Sequence, residues 1–166
     1  MLDIINNRVS VRSFLDKPVS DDQIKEILRA AMNAPSGRNK QSWRFIVVSN
    51  REVLNKMSTL KRHCHMVSES AFSVVVLGDK ELEERIEFQY FNLSAAIENM
   101  LLEAVNQGLG SCWCAISPYE EVMNSYRELF NLSDNLIPVA CIAFGYSKAE
   151  RVRQDQFKED RITYIK

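Results

Sequence analysis

The segment Arg8-Val9-Ser10-Val11-Arg12-Ser13-Phe14 alternates charged or hydroxyl side chains with apolar ones. Side chains in an extended chain point to opposite faces in turn, so Arg8, Ser10 and Arg12 share one face, and Val9 and Val11 share the other. Two guanidinium forks with a hydroxyl between them suit a phosphate. A solvated surface stripe satisfies the same pattern. A second polar run, APSGRNKQSW, occupies residues 34–43. Its Ser36, Asn39 and Gln41 donate and accept hydrogen bonds, but it holds no histidine or carboxylate to move a proton. Such groups suit the polar edge of a heterocycle, and equally a plain loop between a helix and a strand.

Three other stretches invite a chemical reading. GLGSCW at 108–113 has glycines that permit close backbone approach, so main-chain N–H groups would be able to face a ligand. It is not a dinucleotide fingerprint, because the glycines follow a helix instead of opening one. ERVR at 150–153 places Arg151 and Arg153 two apart, as a clamp or as decoration of a tail. His63-Cys64-His65 resembles a metal ligand set, but adjacent side chains diverge and the chain has no further histidine; no metal site is expected. Cys112 and Cys114 read as small buried side chains with no base beside them. No G-x-S-x-G elbow surrounds Ser10 or Ser36.

The elements that must carry these residues are legible from period and punctuation. A short helix is expected at 3–7 and an extended segment at 8–14. Ser20-Asp21-Asp22-Gln23 forms a capping box, after which Ile24, Ile27, Leu28 and Ala31 repeat at helical spacing until Asn33, before Pro35. Strands are expected at 43–49, 71–78, 111–116 and 138–146, the second being a continuous apolar run suited to a strand covered on both faces. Helices are expected from about Arg51 to Leu60 and from about Leu82 to Asn106, the latter stopped by Gly108. Another helix should start at Ser117, with Pro118 in its first position and Glu120 after it. Mixed helices and strands imply an α/β or α+β sandwich. The 82–106 helix has more apolar surface than one sheet face needs, which fits either a homodimer or a fully internal helix.

The 166 residues suit one domain, and 46% apolar content supports an ordinary core. With 21 basic and 22 acidic residues the charge is balanced, which gives no electrostatic case for nucleic acid. No long apolar run or leader pattern is present, so no membrane contact and a cytoplasmic location are expected.

Four ordered pieces carry a resemblance: RVSVRSF at 8–14, APSGRNKQSWRFIVV at 34–48, ENMLLEAVNQGLGSCW at 98–113, and IAFGY at 142–146 with its following basic pair. Together they are similar to the FMN-dependent nitroreductase family, in its short single-domain form, over nearly the whole chain. The resemblance implies an α+β, nitroreductase-like three-layer sandwich, with a mixed, mainly antiparallel sheet flanked by helices, in a homodimer. It implies one FMN-binding domain over 1–166, with 147–166 as an extension toward the partner chain. It implies that Arg8 and Ser10 bind the FMN phosphate, joined by Arg151 and Arg153, and that Arg12 approaches the pyrimidine side of the ring. Pro35, Ser36 and Asn39 would come from the partner chain; Leu109, Gly110 and Ser111 would lie near the ring centre, mainly through backbone. FMN would accept electrons from NAD(P)H and pass them to a nitroaromatic, quinone or other small acceptor in a ping-pong cycle, with no catalytic side chain required. A flavin-binding dimer without turnover, or a relative with dehalogenase or flavin-fragmenting activity, is the alternative. The chain departs from the family pattern at Val9, where a basic residue or histidine often stands, at Ser42, where proline is usual, and in a tail without the usual prolines.

Overall fold

The computed structural model describes residues 2–149 and 156–166, so Arg151 and Arg153 lie outside the described residues. The elements, in chain order, are α1 (Asp3–Asn7), α2 (Asp21–Met32), β1 (Trp43–Val48), α3 (Arg51–Thr59), β2 (Phe72–Asp79), α4 (Ile86–Asn106), β3 (Gly110–Ala115), α5 (Glu120–Phe130) and β4 (Leu136–Gly145). Short 3-10 turns lie at Gly37–Asn39, His65–Glu69 and Glu159–Arg161.

The strands form an antiparallel sheet in the order β1-β2-β4-β3. All eight positions of β2 are buried, as its continuous apolar run predicts for an inner strand. Alternation then sorts its side chains. Val74 and Val76 pack with Leu93, Ile97 and Met100 of α4 and Ile27 of α2. Val75 and Leu77 pack with Leu54 and Met57 of α3 and Tyr126 of α5. The result is an α+β sandwich of three layers, α2/α4, sheet and α3/α5.

Local signals explain most boundaries. At α2 both halves of the capping box form: Gln23 N–H donates to Ser20 Oγ, and Ser20 N–H donates to Gln23 Oε1. Gly108, at φ 72°, ends the α4 turn in a conformation that favours glycine.

Two starts differ from expectation. Helix α4 begins at Ile86, not near Leu82, because the intervening residues are held in a turn. Asp79 Oδ1 accepts from Glu81 N–H at 3.0 Å, and Glu83 Oε1 accepts from Arg85 N–H at 3.2 Å. Helix α5 begins at Glu120, and Pro118 is not its first residue. Ser117 does not cap it, since its Oγ donates to the Pro138 carbonyl at 2.9 Å.

Helix α4 is not fully internal in the protomer. Leu93, Ala96, Ile97, Met100 and Ala104 face the sheet, whereas Phe91 on the outer crest is 72% exposed. No helix among the described residues is long and apolar enough to cross a membrane.

Candidate functional site

Strand β3 is an outer strand of the sheet, and the segment 8–12 runs along its free side. Ser10 pairs with Ser111 in a parallel bridge, and Val11 N–H donates to the Ser111 carbonyl at 2.9 Å. Parallel pairing sets 8, 10 and 12 beside 109, 111 and 113 in the same direction. Val9 and Val11 pack into the α3/α5 side of the core. By alternation Arg8, Ser10 and Arg12 take the α4 side, together with Ser111, Trp113 and Ala115. Arg8 confirms the direction: its Nε lies 3.6 Å from Glu98 Oε1 of α4.

Tyr90, Ser94 and Glu98 are spaced four apart and form one row on α4. Tyr90 and Ser94 line a pocket of about 370 Å³ with Trp113, Ala115, Pro118 and Val139. The row and the β3 edge therefore wall a groove, with Arg8 and Glu98 at one end and Trp113 and Tyr90 at the other. Eight helical residues separate those ends, or about 12 Å at 1.5 Å per residue. Arg12 is exposed beside the Trp113 end, and Trp113 is itself 37% exposed although its β3 neighbours are buried. A cation and a hydroxyl at one end and an apolar, aromatic pocket at the other can take a ligand with an anionic tail and a flat head.

The second polar run sits elsewhere in the protomer. Gly37 N–H donates to Asn92 Oδ1 at 2.9 Å, and a Cβ at Gly37 would lie 3.3 Å from Phe88. Phe88 and Asn92 occupy the opposite shoulder of α4 from Tyr90, Ser94 and Glu98, across the crest at Phe91 and Leu102. One protomer thus does not bring Pro35, Ser36 and Asn39 to the groove that holds Arg8, Ser10 and Arg12.

The glycines of GLGSCW do not clear space for a ligand. The place of a Gly110 side chain is filled by Val11, whose Cγ2 would lie 2.7 Å from an added Cβ, and Gly108 serves the helix stop. Leu109 and Ser111 are buried in the protomer. A second pocket, of about 470 Å³, is lined by Val9, Val11, Val105, Leu109, Gly110 and Lys148; Arg8, Ser10 and Arg12 are not in its lining, and its Lys148 is paired with Glu69 at 2.9 Å.

Among the described residues, no three His, Cys, Asp or Glu side chains gather as a metal requires. All four cysteines are free and buried. Cys64 has a charged neighbour in Lys61. A hydrogen bond from Cys114, aided by Lys61, holds its thiol down to about 7, whereas burial pushes Cys141 up to about 12.

Sequence reading missed Tyr90, Ser94, Glu98, Trp113 and Ala115. The four-residue row in α4 and the alternation of SCWCA were visible signals, but the parallel register that joins them was not.

A sequence model of the nitroreductase family matches residues 5–65 and 60–146. The chain belongs to the nitroreductase family. One nitroreductase relative is an Archaeoglobus fulgidus protein named as an NADH dehydrogenase/NAD(P)H nitroreductase, 39% identical over 97% of this chain and 95% of its own. A Clostridium acetobutylicum protein named as an NADH oxidase has a crystal structure that superposes with a TM-score of 0.95 at 38% identity, over 99% of both chains. A nitroreductase from Desulfovibrio desulfuricans, solved in complex with FMN, is 26% identical with a TM-score of 0.84 over 99% of this chain and 95% of its own.

Proposed function

We propose that this nitroreductase is an FMN-dependent oxidoreductase that works as a homodimer and carries electrons from NAD(P)H to a nitroaromatic, quinone or other small oxidised acceptor. The observation that carries the reading is the groove, with Arg8 about 12 Å along α4 from the Trp113–Tyr90 pocket. That chemistry fits FMN, with its phosphate at one end and a flat heterocycle at the other. The FMN bound to the Desulfovibrio desulfuricans relative supports the choice of cofactor. When bound, FMN would supply the two-electron exchange between the nicotinamide donor and the acceptor.

The chain's own residues bind and orient. Arg8 and Ser10 hold the phosphate, with Arg151 and Arg153 joining from outside the described residues. Arg12 presents a fixed positive charge beside the pyrimidine side of the ring. Trp113, Tyr90 and Val139 shield it from water, and Leu109, Gly110 and Ser111 form the backbone floor beside it. Pro35, Ser36 and Asn39 reach it from the second subunit across the α4 crest. The 147–166 extension completes the single domain and covers the partner, with Phe157 and Ile165 left exposed in the protomer to do so.

The visible spectrum of purified protein tests the reading. Protein as purified, or after addition of FMN, should show bound oxidised flavin that bleaches anaerobically with NADH or NADPH. Protein that takes up no flavin would overturn it, and flavin that bleaches only with dithionite would favour a binding dimer without turnover.

A further inference from the structure

The loop between α2 and β1 has an uncommon backbone. Arg38, Asn39 and Gln41 have φ of 54°, 54° and 48°, three of the five non-glycine residues with positive φ among the described residues. Side chains at such angles are held against local strain, so surrounding contacts must impose the shape.

Those contacts come largely from the α4 region. Asn92, only 4% exposed, brackets the loop: its Oδ1 accepts from Gly37 N–H at 2.9 Å, and its Nδ2 donates to Ser42 Oγ at 3.4 Å. Glu83, 1% exposed, accepts from Lys40 Nζ at 3.1 Å while its other oxygen binds Arg85 Nε at 2.9 Å. Within the loop, Gln41 N–H donates to Ser36 Oγ and Gln41 Nε2 donates to Asn39 Oδ1, both at 3.0 Å. Buried polar groups with several partners rigidify what they bind.

We propose that Asn92, together with Glu83 through Lys40, is a positioning residue that holds the 36–41 loop in the shape that lines the flavin ring of the neighbouring subunit. The proposal rests on the flavin reading above. It makes Gln41 part of the same device, since Gln41 aims Asn39. Neither Asn92 nor Glu83 touches the ligand. Both act through the loop, which meets the ring and not the phosphate.

Titration of apoprotein with FMN and with riboflavin, read by flavin fluorescence, tests it. Asn92→Ala should weaken both ligands equally, by about tenfold, the effect of roughly one hydrogen bond. Lys40→Met removes a loop-side tether while Glu83 keeps Arg85, so the fold is retained and a smaller equal loss is expected. Mixed dimers of Asn92→Ala with Arg8→Ala subunits then locate the effect. One groove has both defects and the other has neither, so half of the flavin should bind with wild-type affinity. Unchanged affinity in both variants, with wild-type protein binding flavin, would overturn the positioning role alone. Mixed dimers with no wild-type phase would overturn action on the neighbouring subunit. Wild-type apoprotein that binds neither ligand would overturn the flavin reading itself.

Discussion

Arg8 and Arg12 lie on one face of one short segment, yet the proposed function gives them different tasks. Arg8 lies 3.6 Å from Glu98 through Nε, and a guanidinium fork suits an anion such as a phosphate. Arg8→Ala should weaken FMN by about 1.5 kcal/mol or more, roughly tenfold at least, and riboflavin much less, in fluorescence titrations of apoprotein. Equal losses would remove Arg8 from the phosphate. Arg12 stands beside the pocket end, where a fixed positive charge favours the more negative, reduced ring. Arg12→Ala should lower the two-electron potential of FMN-loaded protein by about 30 mV, equivalent to roughly 1.4 kcal/mol. Potentiometry at full occupancy that shows no shift would reject that role. Glu83 gives a residue-scale prediction about pH. Hydrogen bonds from Arg85 foremost, then Lys40, hold its carboxyl down from 4.5 to about 2. The folded form therefore binds fewer protons than the unfolded one at intermediate pH. The stabilisation is complete above about 4.5 and fades as pH falls through about 2. Glu83→Gln should melt below wild type at neutral pH, and the gap should close as pH falls through that window; a gap independent of pH would exclude the ion pair as its source.

At the scale of elements, the site depends on how closely the 8–12 segment lies against β3. Gly110 permits that approach, because a Cβ there would lie 2.7 Å from Val11 Cγ2 and 2.9 Å from Val11 Cβ. Gly110→Ala should cost about 1–3 kcal/mol, the usual range for forced overpacking. Thermal melts should show the loss, with partial recovery on adding Val11→Ala. Full stability in the single variant would show that the segment moves freely. The capping box of α2, the buried run of β2 and the Gly108 stop were legible in the sequence because each signal involves neighbours within a turn or two. The starts of α4 and α5 were not. Asp79, Glu83 and Ser117 have side chains that match ordinary helix starts, but tertiary partners claim them, including the Pro138 carbonyl and Lys40.

For the whole molecule, the proposed homodimer draws on the arrangement around α4. The groove lies on one shoulder, the 36–41 loop on the other, and the exposed Phe91 crest between them. Packing of two α4 crests about a twofold axis oriented to set each loop against the other groove would also cover Phe91. Sedimentation equilibrium at low micromolar concentration should give about twice 19.1 kDa. A monomer that holds its full complement of FMN would end this arrangement.

What the sequence determined by itself were features written in short-range order: the caps, the strand and helix periods, and the sharing of one face by Arg8, Ser10 and Arg12. The motif order also carried the family, since the four pieces keep their spacing along the chain. Only the tertiary structure decided which groups face Arg8 and Arg12. The parallel bridge between Ser10 and Ser111 joins positions far apart in sequence, and a pairing register leaves no local signature. That register makes Trp113 the neighbour of Arg12, while the packing of α4 brings Glu98 to Arg8 and Tyr90 to the pocket. The same packing places the polar loop on the far shoulder of α4, because Asn92 binds Gly37 and Ser42, a contact whose two sides lie fifty residues or more apart.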